Sequence, residues 1–252
     1  MRKYDVEERI HTENYMFARH LFAYEVAARF MTRGSLAVDL GCGDGYGVRY
    51  LTERGGRAVG VDRDEESLAP ASARYRGPGR LFVRATVDRL PIPDSSVNLA
   101  CSMQVLEHLA DPRQYMAEMR RILKDGATLV LSTPYRDSRA WRFDRARSPY
   151  HEIEYDHHGL AELASRHFSR VTVQGVRFRQ ESAAGHSDRT LGLVQKIDGW
   201  NIRRFVPQPL KARLYRMLRF QPVGGIVMAT ADFELVDEID SEVLDLIAIC
   251  HS

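Results

Sequence analysis

The first part of the chain alternates between short apolar runs and segments with helical periodicity. Apolar residues recur every three or four positions over 15–31, which predicts an amphipathic helix. The β-rich runs SLAVDL at 35–40 and RAVGVD at 57–62 predict two strands. The helix-forming segment between them ends at Gly55 and Gly56. This pattern predicts a helix followed by a strand, a turn, a second helix and a second strand.

The same alternation continues along the chain. A helix is predicted near 64–74, another begins at Asp111 with Pro112 in its first turn, and a third covers about 159–168. Further strands are predicted at 81–86, 97–102, 127–133, 170–178 and 243–250. Repeated strand–helix units predict an α/β fold, with a seven-stranded, mostly parallel sheet and helices on both faces.

One long segment, about 180–224, interrupts this pattern. Its stretch NIRRFVPQPLKARLYRMLRF is rich in arginine and lysine and contains no acidic residue. It forms either a solvated helix face or a lid that attracts an anionic or polyhydroxylated substrate. We expect a single domain in which 1–33 form a helical cap, 34–178 the cofactor-binding core, 180–224 the insertion and 225–252 the C-terminal strands.

Composition and charge narrow the class of protein. The chain has 252 residues, of which 44% are hydrophobic, so it can bury a sizeable core. Its formal net charge of +2 gives no strong electrostatic attraction for nucleic acid or membranes. It lacks an apolar leader and any run of about 18 apolar residues. Its three cysteines are widely separated, which favours a reducing compartment. We therefore expect a cytoplasmic protein with neither a membrane nor a nucleic-acid partner.

The stretch VDLGCGDGYG at 38–47 places a glycine-rich loop directly after the first strand. Glycine tolerates positive φ and lets a ligand approach the backbone closely. In a βαβ unit such a loop presents backbone N–H groups, and an acid at the end of the second strand, here Asp62, can accept from ribose hydroxyls. A ligand with a nucleoside portion is therefore predicted.

The spacing of the loop and its acids distinguish between cofactors. Gly41, Gly43 and Gly45 follow a GxGxG pattern, whereas dinucleotide loops follow GxGxxG and hold a pyrophosphate. Asp39 and Asp44 would repel a pyrophosphate but attract an ammonium and a sulfonium group. The loop therefore favours S-adenosylmethionine.

Several motifs in order resemble those of the class I S-adenosylmethionine-dependent methyltransferases. They are VDLGCGDGYG, VGVDRD, VRATVDRLPIPDSSVNLACSMQVLEHL and MRRILKDGATLVLSTP, within roughly 13–178. The resemblance implies their Rossmann-like fold and S-adenosylmethionine as cofactor. The residues it places around the cofactor are Gly41, Gly43 and Gly45 at the methionine portion, Asp62 and Arg63 at the ribose, Thr86 and Val87 at the adenine, Met103, and Tyr15 and Arg19 over the carboxylate.

Acidic and histidine side chains follow the predicted fourth and fifth strands. Methyl transfer to a hydroxyl needs a base or a metal, because a neutral oxygen is a poor nucleophile. Gln104, Glu107 and His108 in SMQVLEHL resemble the E-x-x-E-H metal segment of ubiquinone-type and small-RNA 2′-O-methyltransferases, with Gln104 in place of the first acid. The same LEHL segment is structural in methyltransferases that use no metal.

A second segment, SPYHEIEYD at 148–156, adds a histidine. Glu107, His108 and His151 together would hold Mg²⁺ or a similar divalent cation, leaving positions for water and two substrate oxygens. His151 is alternatively a structural histidine beside Pro149. The candidates for taking the proton of the acceptor hydroxyl are His108, His151 and His20.

Segments outside the cofactor core carry a narrower resemblance. ENYMFARHLFAY, STPYRD, SPYHEIE, TADFELV and LDLIAIC are similar, in order, to the mycobacterial sugar 1-O-methyltransferases of methylmannose polysaccharide synthesis. This resemblance implies a saccharide-like small-molecule substrate and Mg²⁺ dependence. The alternatives are another acceptor (an amino sugar nitrogen, a phenol or quinone precursor, an RNA 2′-hydroxyl) or a non-catalytic cofactor-binding protein. The sequence leaves open whether the protein forms a homodimer.

Overall fold

A computed structural model describes residues 15–138, 151–179 and 229–252. These residues divide into two compact units. One contains 15–19, 178–179 and 229–234, and the other contains 20–138, 151–177 and 235–252. The insertion at 180–224 and residues 1–14 of the N-terminal cap lie outside the described residues, so the expected single domain and its lid stay predictions. No helix in the described ranges is long and apolar enough to cross a membrane.

Helices and strands alternate through the described residues, as the hydrophobic pattern predicts. The α-helices are α1 (Tyr15–Ala28), α2 (Tyr46–Thr52), α3 (Glu65–Tyr75), α4 (Pro112–Ile122) and α5 (His157–Ser165). The strands are β1 (Leu36–Leu40), β2 (Arg57–Asp62), β3 (Arg80–Arg84), β4 (Val97–Met103), β5 (Leu123–Pro134), β6 (Arg170–Phe178), β7 (Phe233–Val236) and β8 (Asp245–His251). Two short 3₁₀ helices cover Leu106–His108 and Thr230–Asp232.

Acidic N-caps begin three of these helices. The Asp111 carboxylate accepts hydrogen bonds from the Arg113 and Gln114 N–H groups, each at 3.1 Å, and Pro112 follows it as predicted. Asp64 caps α3 and Asp156 caps α5 in the same way. A carboxylate at this position satisfies backbone donors that have no partner inside the helix, which is why these helices begin where they do.

The strands form one sheet in the order β3-β2-β1-β4-β5-β8-β6-β7. Strands β3, β2, β1, β4 and β5 are parallel to their neighbours, and β8 is antiparallel to both β5 and β6. The predicted Rossmann-like α/β class is confirmed. The sheet has eight strands rather than the predicted seven, because the four-residue edge strand β7 is too short to show an alternating pattern of its own.

Alternation along β1 directs its side chains to two different faces of the sheet. Val38 and Leu40 join a buried core with Tyr115 of α4 and Leu160 of α5. Asp39 points to the other face, where its side chain meets α1. Strand β1 is therefore covered on both faces, as expected for a central parallel strand.

Leu129 and Leu81 give a matched pair of core and surface leucines in strands. Leu129 in β5 is fully buried, so its apolar side chain is removed from water on folding. Leu81 on β3 is 58% exposed, so most of its side chain stays in contact with water. We expect Leu129→Ala to lower the free energy of unfolding by about 2–5 kcal/mol, and Leu81→Ala to change it by less than about 0.5 kcal/mol. Urea unfolding of both variants checks this, and equal shifts would contradict the burial pattern.

Candidate active site

The glycine-rich loop between β1 and α2 turns at three glycines with positive φ. Gly41, Gly43 and Gly45 have φ of 67°, 49° and 77°. A Cβ atom on Gly41 would collide with the Val105 side chain, and one on Gly45 would lie 2.8 Å from the Phe82 ring. A Cβ on Gly43 would meet nothing within 4 Å. Two of these glycines are therefore required by packing, whereas Gly43 borders open space that a ligand can approach.

The acid at the end of β2 is bonded to this loop. The Asp62 carboxylate accepts hydrogen bonds from the N–H groups of Gly43 and Asp64, each at 2.9 Å. An ionised carboxylate offers about four acceptor positions, so acceptor capacity remains for hydroxyl groups of a ligand. The Asp62 carbonyl accepts from the Ala85 N–H at 3.1 Å, which holds the segment leading to Thr86 and Val87 beside this acid.

The remaining residues predicted to bind the cofactor differ in burial and in the unit of the structure to which they belong. Met103 lies buried at the end of β4, the strand that pairs with β1. Arg63 and Thr86 are exposed, and Val87 is buried. Tyr15 and Arg19 lie on α1 within the smaller unit, and their predicted contact with the cofactor carboxylate stays a prediction.

Asp39 is a buried carboxylate next to the glycine loop. Its two oxygens lie 3.0 and 3.1 Å from the Tyr24 hydroxyl, which donates to them. Burial raises the pKa of Asp39 to about 7; the Tyr24 hydrogen bond opposes that rise and the charge of Asp62 adds to it. A positively charged ligand group beside Asp39 would favour its ionised form.

These features fit S-adenosylmethionine. Burial raises the pKa of the Cys42 thiol, and the charges of Asp39, Asp62 and Asp44 raise it further, as expected for a loop in a negative potential. Such a potential repels a pyrophosphate and attracts ammonium and sulfonium groups. The open space at Gly43 and the acceptors of Asp62 suit the rest of the cofactor.

A second cluster of side chains contains Glu107, His108 and His151. One ligand atom from each lies within 4.8 Å of the others. Glu107 is buried, and its Oε2 accepts a hydrogen bond from the Thr133 hydroxyl at 3.0 Å. Its Oε1 lies 4.0 Å from His108 Nε2, and the two imidazole rings meet edge to face at 5.0 Å. The predicted trio is therefore brought together.

Backbone hydrogen bonds hold the two segments of this cluster together. The Glu107 carbonyl accepts from the N–H groups of Glu152 at 2.8 Å and Ile153 at 3.3 Å. The Tyr155 carbonyl accepts from the Arg136 N–H at 3.0 Å. The segment after the fifth strand thus lies against the 3₁₀ helix Leu106–His108, as the sequence pattern predicted.

The sequence-based placement of Gln104 was wrong. Gln104 has φ of 57° and precedes the 3₁₀ helix, so it does not share a helical turn with Glu107. Its N–H donates to the Ser132 carbonyl at 2.9 Å, and its side-chain amide donates to the Ser132 hydroxyl at 3.3 Å. The peptide turns sharply at the end of β4, and the Gln104 amide bonds to Ser132 of β5.

The candidate histidines His151 and His20 differ in their surroundings. Burial lowers the pKa of His151, the charge of His108 lowers it further, and Glu154 opposes both. His151 is therefore neutral at pH 7, with a nitrogen lone pair available to a metal or a proton. His20 lies on α1 and is not among the residues that could share a cation with Glu107.

Comparison with known proteins identifies the family. A protein-family model described as a methyltransferase domain matches residues 38–131 of the sequence. A probable S-adenosylmethionine-dependent methyltransferase of Mycobacterium tuberculosis is 31% identical over 243 residues, which cover 94% of this chain and 84% of that protein. The chain belongs to the S-adenosylmethionine-dependent methyltransferases.

Two further proteins are similar to this chain, one in part of its sequence and one in fold. A probable methyltransferase of Mycolicibacterium smegmatis is 36% identical over 152 residues, which are 60% of this chain and 58% of that protein, so the match spans little more than half of that relative. The solved structure of a Thermotoga maritima S-adenosylmethionine-dependent methyltransferase shares the fold with a TM-score of 0.62 at 16% identity, covering 98% of this chain and 95% of that one.

Two side chains of this methyltransferase that the sequence analysis did not single out contact its acids. Tyr24 donates to Asp39, and Thr133 donates to Glu107. Thr133 lies at the end of β5, and a polar residue at the end of an apolar strand marks a candidate site residue in the sequence. Tyr24 lies in an amphipathic helix among apolar neighbours, so the periodicity marks it only as a core residue.

The raised pKa of Asp39 predicts a pH-dependent stability of the methyltransferase. The folded protein keeps the Asp39 proton up to about pH 7, whereas the unfolded chain releases it near the ordinary pKa of 3.8, so stability falls as the pH rises between these values. Asp39→Asn removes this cost, and we expect the variant to be more stable than wild type at pH 8 by at most about 4 kcal/mol, with the difference shrinking towards pH 5.

Urea unfolding of both proteins at the two pH values measures this difference. Glu238→Gln is a suitable control, because Glu238 is an exposed acid. A difference between Asp39→Asn and wild type that does not change with pH would contradict the assignment of a protonated Asp39.

Proposed function

We propose that this methyltransferase transfers a methyl group from S-adenosylmethionine to a hydroxyl of a sugar or of a glycosylated small molecule, assisted by a divalent metal such as Mg²⁺. The observation that carries this proposal is the cluster of Glu107, His108 and His151 beside the glycine-rich loop. An amine acceptor would need no such cluster, whereas a hydroxyl needs help to lose its proton.

The chemistry of the cluster supports a cation. Glu107 is a buried carboxylate whose Oε2 accepts from Thr133, and carboxylate oxygens are ligands that Mg²⁺ binds. One carboxylate and two imidazoles form a mixed oxygen and nitrogen set that leaves coordination positions for water and for two substrate oxygens. Neighbouring hydroxyls of a sugar can supply two such oxygens.

The position of the cluster supports methyl transfer. Val105 packs where a side chain on Gly41 would lie, and Glu107 follows two residues later. An acceptor held at the cluster would therefore lie close to a cofactor bound at the loop. This proximity matters because displacement at the methyl carbon requires the acceptor oxygen in line with the sulfur.

The roles of the residues follow from this arrangement. Gly43 and Asp62 would hold the cofactor, and Glu107, His108 and His151 would hold the metal, which lowers the pKa of a bound hydroxyl. The bond from sulfur to the methyl carbon breaks as the bond from the acceptor oxygen forms. The hydroxyl proton would leave to an imidazole that does not bind the metal, for which His20 is the candidate.

The resemblance to the mycobacterial sugar 1-O-methyltransferases supports a saccharide acceptor. Its segments ADFELV and LDLIAIC lie outside the general cofactor core, in the region of β7 and β8. The backbone of β8 passes between β5 and β6, and β5 carries Thr133, which bonds to Glu107. These similar segments therefore belong to the same sheet as the site.

Removal of the metal separates this proposal from its rivals. With chelator-treated protein, we expect S-adenosylhomocysteine to bind with unchanged affinity and methyl transfer to a saccharide panel to fall at least about 100-fold, with recovery when Mg²⁺ is added. Isothermal titration and a methyl-transfer assay measure the two quantities. Transfer that is indifferent to chelation would overturn the metal, and transfer only to amines, phenols or RNA would overturn the acceptor.

Variants of the cluster test the same assignment by residue. Glu107→Gln and His151→Ala should each abolish tight binding of Mn²⁺, used as a spectroscopic probe, while S-adenosylhomocysteine affinity stays within about twofold. His158→Ala, an exposed histidine of α5, is the matched control and should bind Mn²⁺ like wild type. Wild-type Mn²⁺ binding in Glu107→Gln would show that the cluster is structural.

A further inference from the structure

We propose that Tyr24 is a positioning residue that acts through Asp39 and couples binding of the cofactor's ammonium group to release of a proton. The proposal rests on the cofactor of the family and is independent of the acceptor and the metal. It concerns a side chain on α1, away from the glycine loop in sequence and in contact with its acid in space.

The packing around Tyr24 fixes the position of its hydroxyl. The Tyr24 side chain is buried, and a Cβ atom on Gly47 would collide with its ring. The Tyr46 ring meets it edge to face at a centroid distance of 5.5 Å. Gly47 therefore makes room for Tyr24, and the ring has little freedom to move its hydroxyl away from Asp39.

Tyr24 is the group that favours the charged form of Asp39. The pKa of Asp39 is raised first by burial and then by the charge of Asp62, and the hydrogen bond from Tyr24 is the opposing influence. The other titratable groups that interact with this acid or its partner Tyr24 are acidic or neutral; they are Cys42 of the loop, Cys101 of β4 and Tyr46 of α2. Within the described residues, no basic side chain contributes to the pKa of Asp39.

The single hydroxyl proton of Tyr24 limits what it can satisfy. It lies almost equally far from both oxygens of Asp39 but can donate fully to only one of them at a time. The other oxygen keeps acceptor capacity, which an ammonium group would fill when the cofactor binds, although Asp39 is fully buried in the free protein. Because an ammonium favours the carboxylate form, its binding to Asp39 drives off the proton that the free protein holds near pH 7.

The expected consequence is a pH-dependent cofactor affinity. Affinity for S-adenosylhomocysteine should rise as the pH increases from about 5.5 to 7.5, because less of the Asp39 proton remains to be displaced. Above about pH 8 the α-amino group of the ligand begins to lose its own proton, so the comparison is made below that value. 5′-Methylthioadenosine has no ammonium group, and its affinity should not change over this range.

Isothermal titration of both ligands into three variants tests the coupling. Tyr24→Phe should weaken S-adenosylhomocysteine binding about tenfold at pH 6.5, equivalent to one unit of pKa, and leave 5′-methylthioadenosine binding within about twofold. Asp39→Asn should bind S-adenosylhomocysteine weakly and without pH dependence. Tyr115→Phe removes another buried tyrosine hydroxyl, from α4, and should match wild type.

Direct titration of Asp39 by carboxyl ¹³C chemical shifts gives a reading that does not depend on a ligand. The midpoint should lie near 7 in the free protein and move upward in Tyr24→Phe. An unchanged midpoint, or a Tyr24→Phe variant that loses affinity equally for both ligands, would overturn the proposal and leave Tyr24 as a structural residue. Failure of metal-dependent sugar methylation would not alter these measurements, so the two proposals fail separately.

Discussion

The contact between Val105 and Gly41 is the packing constraint on which the site depends. Parallel strands deliver the loops at their carboxyl ends to one edge of the sheet, and the order of the strands reverses between β1 and β4. A side chain at Gly41 would occupy the space of Val105, so the loops after these two strands can approach only because residue 41 is glycine. Glu107 and His108 follow Val105 by two and three residues, so this contact places the start of their segment at the glycine-rich loop.

Negative charge is the second organising feature of this edge. Asp39 and Asp62 flank the cofactor loop, Asp44 lies within it, and Glu107 is buried in the 3₁₀ helix after β4. The hydroxyl of Tyr24 donates to Asp39 and that of Thr133 donates to Glu107, and these neutral donors offset part of the desolvation cost of the two buried acids. Because these donors are neutral, they do not cancel the negative charge of a carboxylate, and a cation can still bind to it favourably. A sulfonium cofactor and a divalent metal are both cations.

Residues that act within one βαβ unit were predictable from the sequence. The GxGxG spacing and Asp62 are near each other along the chain, and a strand, a turn and a helix bring them together in nearly every such unit. The trio Glu107, His108 and His151 was also predictable as a set, because both segments follow strands that end at one edge. Gln104 was misplaced because a positive φ at a non-glycine residue interrupts the turn, and β7 was missed because four residues carry no clear period.

By itself the sequence determined the α/β class, the cofactor loop and the family, since these depend on local spacing and on the order of short motifs. Only the tertiary structure decided which hydroxyls contact the buried acids and how strongly each acid holds its proton. Tyr24 and Asp39 are 15 residues apart, on a helix and a strand whose meeting depends on Gly47 leaving room for a ring. Periodicity marks such a tyrosine as buried, but the partner of its hydroxyl and the pKa of that partner are set by packing and desolvation, which exist only once the chain has folded.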